Sequence, residues 1–334
     1  GKWNQPHLNK ETFAKDFVGV DEKTGSGIIG TDHVEMNLQE PKREKYENDE
    51  DYQNALTYYQ DNENKKKFLN EVVITQAIDT VRNALAKGAK KVVHLAEGDK
   101  GGIEGSEQRV IYDALKKEFG DKVIPGTWDP KEDSLESENS NVFKHLVKKA
   151  GGNKSKVKVL QAISNLGQET PINAGSSGFL NTDEEKEMFK KATGLDYDEL
   201  QRGKNDEGEM EIYVEDGEKI NQIYQVVFPQ DSEEYKGENE YSKLQAENNN
   251  YRQNKMRKIR EKIEDKDYAV LSTAGATHAY EMKGEFENSN QTESILSKSW
   301  WKDLITEELL TEGGAYGHMA HPFDDKDLTF GDLK

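Results

Sequence analysis

The stretch Lys90–Val110, KKVVHLAEGDKGGIEGSEQRV, decides the reading of the fold. A short apolar run, Lys90 to Ala96, ends in a turn packed with acids and glycines, and a helical pattern starts at Ser106. KVVHLA alternates poorly between apolar and polar, which predicts a strand buried on both faces, as in a parallel sheet. Ser106 is placed to cap the following helix, which carries Val110, Ile111, Ala114, Leu115 and Phe119 on one face and stops at Gly120.

Working outward, Phe68, Val72, Ile74, Ile78, Val81 and Leu85 repeat at helical spacing, with Gly88 as a stop. Val123 and Ile124 start a short strand that runs into GTWDP, and helices are predicted from Asn141 and over Ser155–Leu166. Thr182 and Glu185 form a capping box that opens another helix. DYAVLST, Asp267 to Thr273, reads as a second buried strand and ends in AGATHAY. This order predicts an α/β fold, a mostly parallel sheet flanked by helices. EIYV and INQIYQVVF around EDGEK predict a β-hairpin insertion over about 209–228. The polar, glycine-clustered residues 1–66 read as an N-terminal arm, 67–289 as the α/β domain, and 290–334 as a helix and tail or a linker to a further module.

Composition narrows the function classes. The apolar fraction of 33% and the mean hydropathy of -0.99 predict a modest core with long solvated segments. A net charge of -19 repels phosphate backbones, so general nucleic-acid binding is disfavoured. The absence of cysteine removes disulfides and thiolate chemistry. No apolar run approaches the ~20 residues of a membrane span, so no membrane partner is expected. No HExxH, P-loop, GxGxxG or GxSxG motif occurs.

Two strands end in polar loops. The first loop offers His94, Glu97, Asp99, Glu104, Glu107 and Arg109; the second offers Ser272, Thr273, Thr277 and His278. Sites in open α/β sheets lie beyond the carboxyl ends of the strands, so parallel strands would bring these loops together. Carboxylates with a histidine can transfer protons or hold a divalent metal. Glu97, Glu107 and His278 are the catalytic candidates. His94, Asp99, Arg109 and Thr277 are the substrate or metal candidates. The identity of any cofactor stays open, a divalent metal included. For each loop the alternative is an ordinary polar turn with a helix cap.

HLAEGD…EGSEQ after an early strand and VLSTAGATHAY after a late one resemble the Tiki/TraB and erythromycin-esterase type families. That resemblance implies Glu97 and His278 as active-site residues and Glu107 as a helper. Where the family pattern has a histidine after the first glutamate, this chain has Gly98 and Asp99. The C-terminal GGAYGHMAHPFDDKDLTFGDLK resembles uncharacterised proteins of T4-like phages of marine bacteria, in which a nucleotidyltransferase or RNA-ligase-like domain follows. It implies a phage protein in the bacterial host cytoplasm or the virion, an upstream module whose arms contact other phage proteins. The expectation is a phage-encoded, hydrolase-like α/β domain with a carboxylate/His site. The alternative is a non-catalytic virion or assembly protein that uses the domain as scaffold and the arms as partner contacts.

Overall fold

A computed structural model describes residues 9–130, 133–205, 207–228 and 239–287. They divide into two compact units, one formed by the described residues up to 130 and from 255 to 287, the other by those between 133 and 254.

The first unit is built on a five-stranded sheet in the order β1 (Val18–Val20), β2 (Gly27–Thr31), β8 (Ala269–Gly275), β3 (Val92–Glu97), β4 (Val123–Asp129). β2, β8, β3 and β4 run parallel, and β1 pairs antiparallel with β2. Both faces are covered, as the poor alternation of KVVHLA predicts. Ile29, Val92, Ala269 and Leu271 pack with Val81 of α3 (Ile74–Ala86) and with Ile111 and Leu115 of α4 (Glu107–Phe119). Their neighbours Ile28, Val93 and Val270 pack on the opposite face with Met256 and Ile259 of α9 (Glu240–Glu264) and Met282 of α10 (Ala276–Glu287). Ser106 caps α4 by accepting from Arg109 N–H at 3.2 Å, and Gly120 closes it, both as predicted.

The N-terminal stretch departs from the expected polar arm over 1–66. From α1 (Lys10–Asp16) onward it is part of the fold, and β1 and β2 form one side of the sheet. The glycines that read as a loop serve close packing instead: a Cβ on Gly30 would lie 3.0 Å from Ala279 Cβ, so glycine there eases the close approach of α10 to β2. The helix predicted from Phe68 begins at Asp49, with Asn48 accepting from Asp51 N–H at 2.8 Å. α2 (Asp49–Phe68) is polar all round and buries only Asn62, so it carries no apolar period. A π-helical turn, Leu69–Val73, joins it to α3.

The second unit packs α5 (Asn141–Lys149), α6 (Lys154–Gly167), α7 (Asp183–Thr193) and α8 (Gly217–Val227) around Val157, Leu160, Ile163 and Phe189. A three-stranded antiparallel sheet joins them, in the order β5 (Ile172–Asn173), β7 (Met210–Tyr213), β6 (Gln201–Lys204). The hairpin expected over 209–228 is therefore corrected. Its first half, β7, pairs with β6 and β5, and its second half is the helix α8. The Asp216 side chain accepts from Glu218 and Lys219 N–H and starts that helix, while Ile223 and Val227 bury one face. The expected helix and tail over 290–334 lie outside the described residues.

Candidate active site at the sheet edge

Thr31, Gly275, Glu97 and Asp129 end the four parallel strands at one edge of the sheet. β3 and β8 are neighbours, with Leu95 opposite Ser272. From β3 the chain turns into α4 on one face; from β8 it turns into α10 on the other. Neighbouring parallel strands whose continuations part to opposite faces leave a crevice between them, the usual place for a ligand in this architecture.

The turn from β3 to α4 is shaped from within. Gly98, Gly101, Gly102 and Gly105 all have positive φ, between 71° and 99°. Arg109 donates from Nε to Gly102 O at 3.0 Å and from Nη2 to Lys100 O at 3.4 Å, so its guanidinium holds the turn. Asp99 accepts Gly102 N–H with its carbonyl at 2.8 Å and exposes its side chain.

Beneath the turn runs a buried polar chain. Glu97 N–H donates to Gln108 Oε1 at 2.9 Å, and Gln108 Nε2 donates to Glu97 Oε2 at 3.0 Å. A backbone N–H can only donate, so this pair orients the Gln108 amide. The Thr273 hydroxyl then donates to Gln108 Oε1 at 2.8 Å, which leaves it to accept from His94 Nε2–H at 2.9 Å. His94 is fully buried and stacks on Tyr112, and burial, with Arg109 nearby, pushes its pKa down to about 3. A neutral interior imidazole of this kind positions neighbours and does not shuttle protons. The predicted His94 and Glu97 thus meet through Gln108 and Thr273.

Glu107 begins α4 and lies buried against β2. Its Oε1 accepts from the Thr31 hydroxyl at 3.2 Å, and His33 Nδ1 stands 4.0 Å away. Burial raises the Glu107 pKa; His33, the residue's own N–H, Thr31 and the Val34 N–H pull it back without offsetting the burial. Glu185, also shielded from solvent though less deeply placed, provides the contrast. Burial pushes it up too, but the Lys158 ammonium at 2.9 Å and the Asn181 and Thr182 N–H groups outweigh that and leave it lowered. Among the described residues no lysine or arginine reaches the Glu107 carboxylate within 4.0 Å. A pocket beside Thr31, lined also by Asp32, Val34, Lys65, Phe68 and Val73, holds about 10 Å³, room for one water.

His278 occupies the opposite face. Its ring meets Trp128 edge-on at 5.6 Å, and Trp128 Nε1 donates to Thr273 O at 3.0 Å, which ties the two faces together at Thr273. Thr277 is half-buried in the same first turn of α10. Glu107 approaches the edge from the α4 face of the sheet and His278 from the α10 face. At the end of β4, Asp129 stands opposite Glu97, and the buried Lys255 lies 3.8 Å from its carboxylate. Sequence reasoning alone misses Thr31, His33, Gln108 and Lys255. Gln108 carries a signal, since its place beside a capping serine at a strand–helix junction turns it inward.

Among the described residues no group of three or more His, Asp and Glu side chains is arranged to hold a metal ion, and no helix is long and apolar enough to cross a membrane. No protein-family model, curated protein or solved structure matches the chain.

Proposed function

We propose that the chain is a phage-encoded, hydrolase-like α/β domain that works at the carboxyl edge of its five-stranded sheet. Glu107 is the proton-transfer group and Glu97 the second carboxylate; His278 flanks the edge from the α10 face. The observation that carries this reading is the burial of Glu107, without a lysine or arginine partner among the described residues, at the switch point of a parallel sheet. Burial outweighs the pull of the helix N-terminus on this carboxylate, and a carboxyl raised toward neutrality suits proton transfer. The phage source rests on the C-terminal resemblance alone.

The test is turnover of p-nitrophenyl acetate and bis-p-nitrophenyl phosphate by the wild type, Glu107→Gln and Glu97→Gln. Loss of activity by about 10²-fold or more in a folded Glu107→Gln protein supports the reading. Undiminished turnover in Glu107→Gln, or none in the wild type on either probe, removes it.

A second reading is favoured by the same carboxylate's hydrogen bonds. Thr31 and Val34 both donate to Glu107, so it also fastens the segment after β2 to α4. In a non-catalytic assembly protein that bond would be its whole role, with partners engaged through segments such as 290–334. Glu107→Gln would then leave partner binding intact.

A further inference from the structure

The Glu107 carboxylate is buried, and a proton it takes up has to leave for the cycle to repeat. Among the described residues, one Lys, Arg or His side chain stands within 4.0 Å of it, His33, whose side chain is 95% exposed. Three other charged groups on this side are engaged elsewhere. Lys65 pairs with Asp61 at 2.9 Å, and Glu35 accepts the Tyr58 hydroxyl. Arg109 is turned into the glycine loop.

Resting on the proposed role of Glu107, we infer that His33 is its proton-exchange partner, carrying protons between the buried carboxylate and bulk water. The 4.0 Å separation exceeds a direct hydrogen bond. An exposed imidazole with two free torsions closes it by a small rotation, or one water bridges it. In ester hydrolysis, a water oxygen bonds to the substrate's carbonyl carbon as its proton passes to Glu107. The tetrahedral intermediate then expels the alkoxide, which takes up a proton from solvent and leaves as the alcohol. The Glu107 proton moves from Oε1 to His33 Nδ1, and His33 releases its Nε2 proton to solvent; exchange with water then moves the remaining proton from Nδ1 back to Nε2, so both groups return to their starting states.

The experiment compares His33→Ala, His33→Gln and Glu107→Gln on p-nitrophenyl acetate, with and without added imidazole. His33→Ala is expected to lower kcat by roughly tenfold or more at unchanged KM, with imidazole restoring it. Glu107→Gln should be inactive and beyond imidazole rescue. Full kcat in His33→Ala overturns the assignment of His33 and leaves Glu107 standing; activity in Glu107→Gln overturns the reading beneath both. A carboxyl ¹³C NMR titration of Glu107 tests the pair without any substrate. Removing His33 should raise its midpoint, and an unmoved midpoint overturns the coupling.

Discussion

The Thr273 hydroxyl donates to Gln108 Oε1 at 2.8 Å, and that single bond settles the state of His94. With its hydrogen committed, Thr273 can only accept from the imidazole, so His94 carries its proton on Nε2. Nδ1 is left as a buried lone pair without a hydrogen-bond partner among the described residues.

The consequence for acid stability has a definite sign. His94 titrates near 3 when folded and near 6.5 when unfolded. Between those values the unfolded chain binds a proton that the native state refuses, so stability held above pH 6.5 is lost progressively toward pH 3. His94→Asn should flatten that part of a stability–pH curve measured by urea unfolding, at some cost in stability at neutral pH. In the wild type, ¹⁵N NMR should find the Nε2–H tautomer from neutral pH down to about pH 4. An imidazolium signal at pH 5 contradicts the chain of bonds.

Glu107 has the opposite sign. Its folded pKa is raised, so the stability it contributes is present below the unfolded value of 4.5 and is lost as pH rises through the folded one. At neutral pH, above the unfolded value, the raised carboxyl group is a burden on the fold. Glu107→Gln can keep the acceptor for Thr31 and removes the charge, so it should stabilise the protein at pH 7 by on the order of 1 kcal/mol. Thermal unfolding at pH 4 and pH 8 measures this, and the gain should be larger at pH 8. A variant that is more stable yet inactive marks a functional carboxylate, whereas a destabilised one marks a fastening.

These two residues also show how far the sequence can be read. The strand, turn and α4 are legible because each signal is local: an apolar run, glycines at strained positions, Ser106 at one end and Gly120 at the other. Glu107 can be picked out as an acid at a helix start, but its partners cannot. Thr31 lies 76 residues away, and only the pairing of β2 with β8 brings it to the carboxylate. β2 itself is hidden because its glycines, suited to close packing against α10, look like a loop. α8 reads as a strand because INQIYQVVF is rich in strand-favouring residues, and the Asp216 cap with helical burial of Ile223 and Val227 overrides that preference.

The glycine turn gives a graded test. Gly102 has φ of 99°, and a Cβ there would lie 2.5 Å from the backbone nitrogen of Arg109. Neither the turn nor the first turn of α4 can yield without losing the Arg109 and Ser106 bonds, so Gly102→Ala should cost about 2 kcal/mol or more. Gly120 is also at positive φ, with ψ of -130°, but a Cβ there would meet nothing within 4 Å, so Gly120→Ala should carry the backbone strain alone, about 1–3 kcal/mol, without the added clash at Gly102. Chemical denaturation of the two variants orders them; equal losses would mean the turn is looser than its contacts indicate.

The second unit has its own charge-dependent element in Lys158 and Glu185, buried partners on α6 and α7 at 2.9 Å. Glu185 does two jobs, since the same carboxylate accepts from Asn181 and Thr182 N–H at 2.9 and 3.2 Å and completes the capping box. Lys158→Met strands the carboxylate in the interior and should cost about 3 kcal/mol or more. Lys158→Met with Glu185→Met removes both charges and should recover most of that loss, short of about 1 kcal/mol for the missing cap. Because the folded pKa of Glu185 is lowered, the pair's stabilisation is present above the unfolded value of 4.5 and fades as pH falls through the folded one. Amide hydrogen exchange on α6 and α7 reports this unit by itself. Protection there should drop on acidification in the wild type and stay flat in the double variant, and a double variant as weak as Lys158→Met would show that the cap, not the ion pair, holds the two helices together.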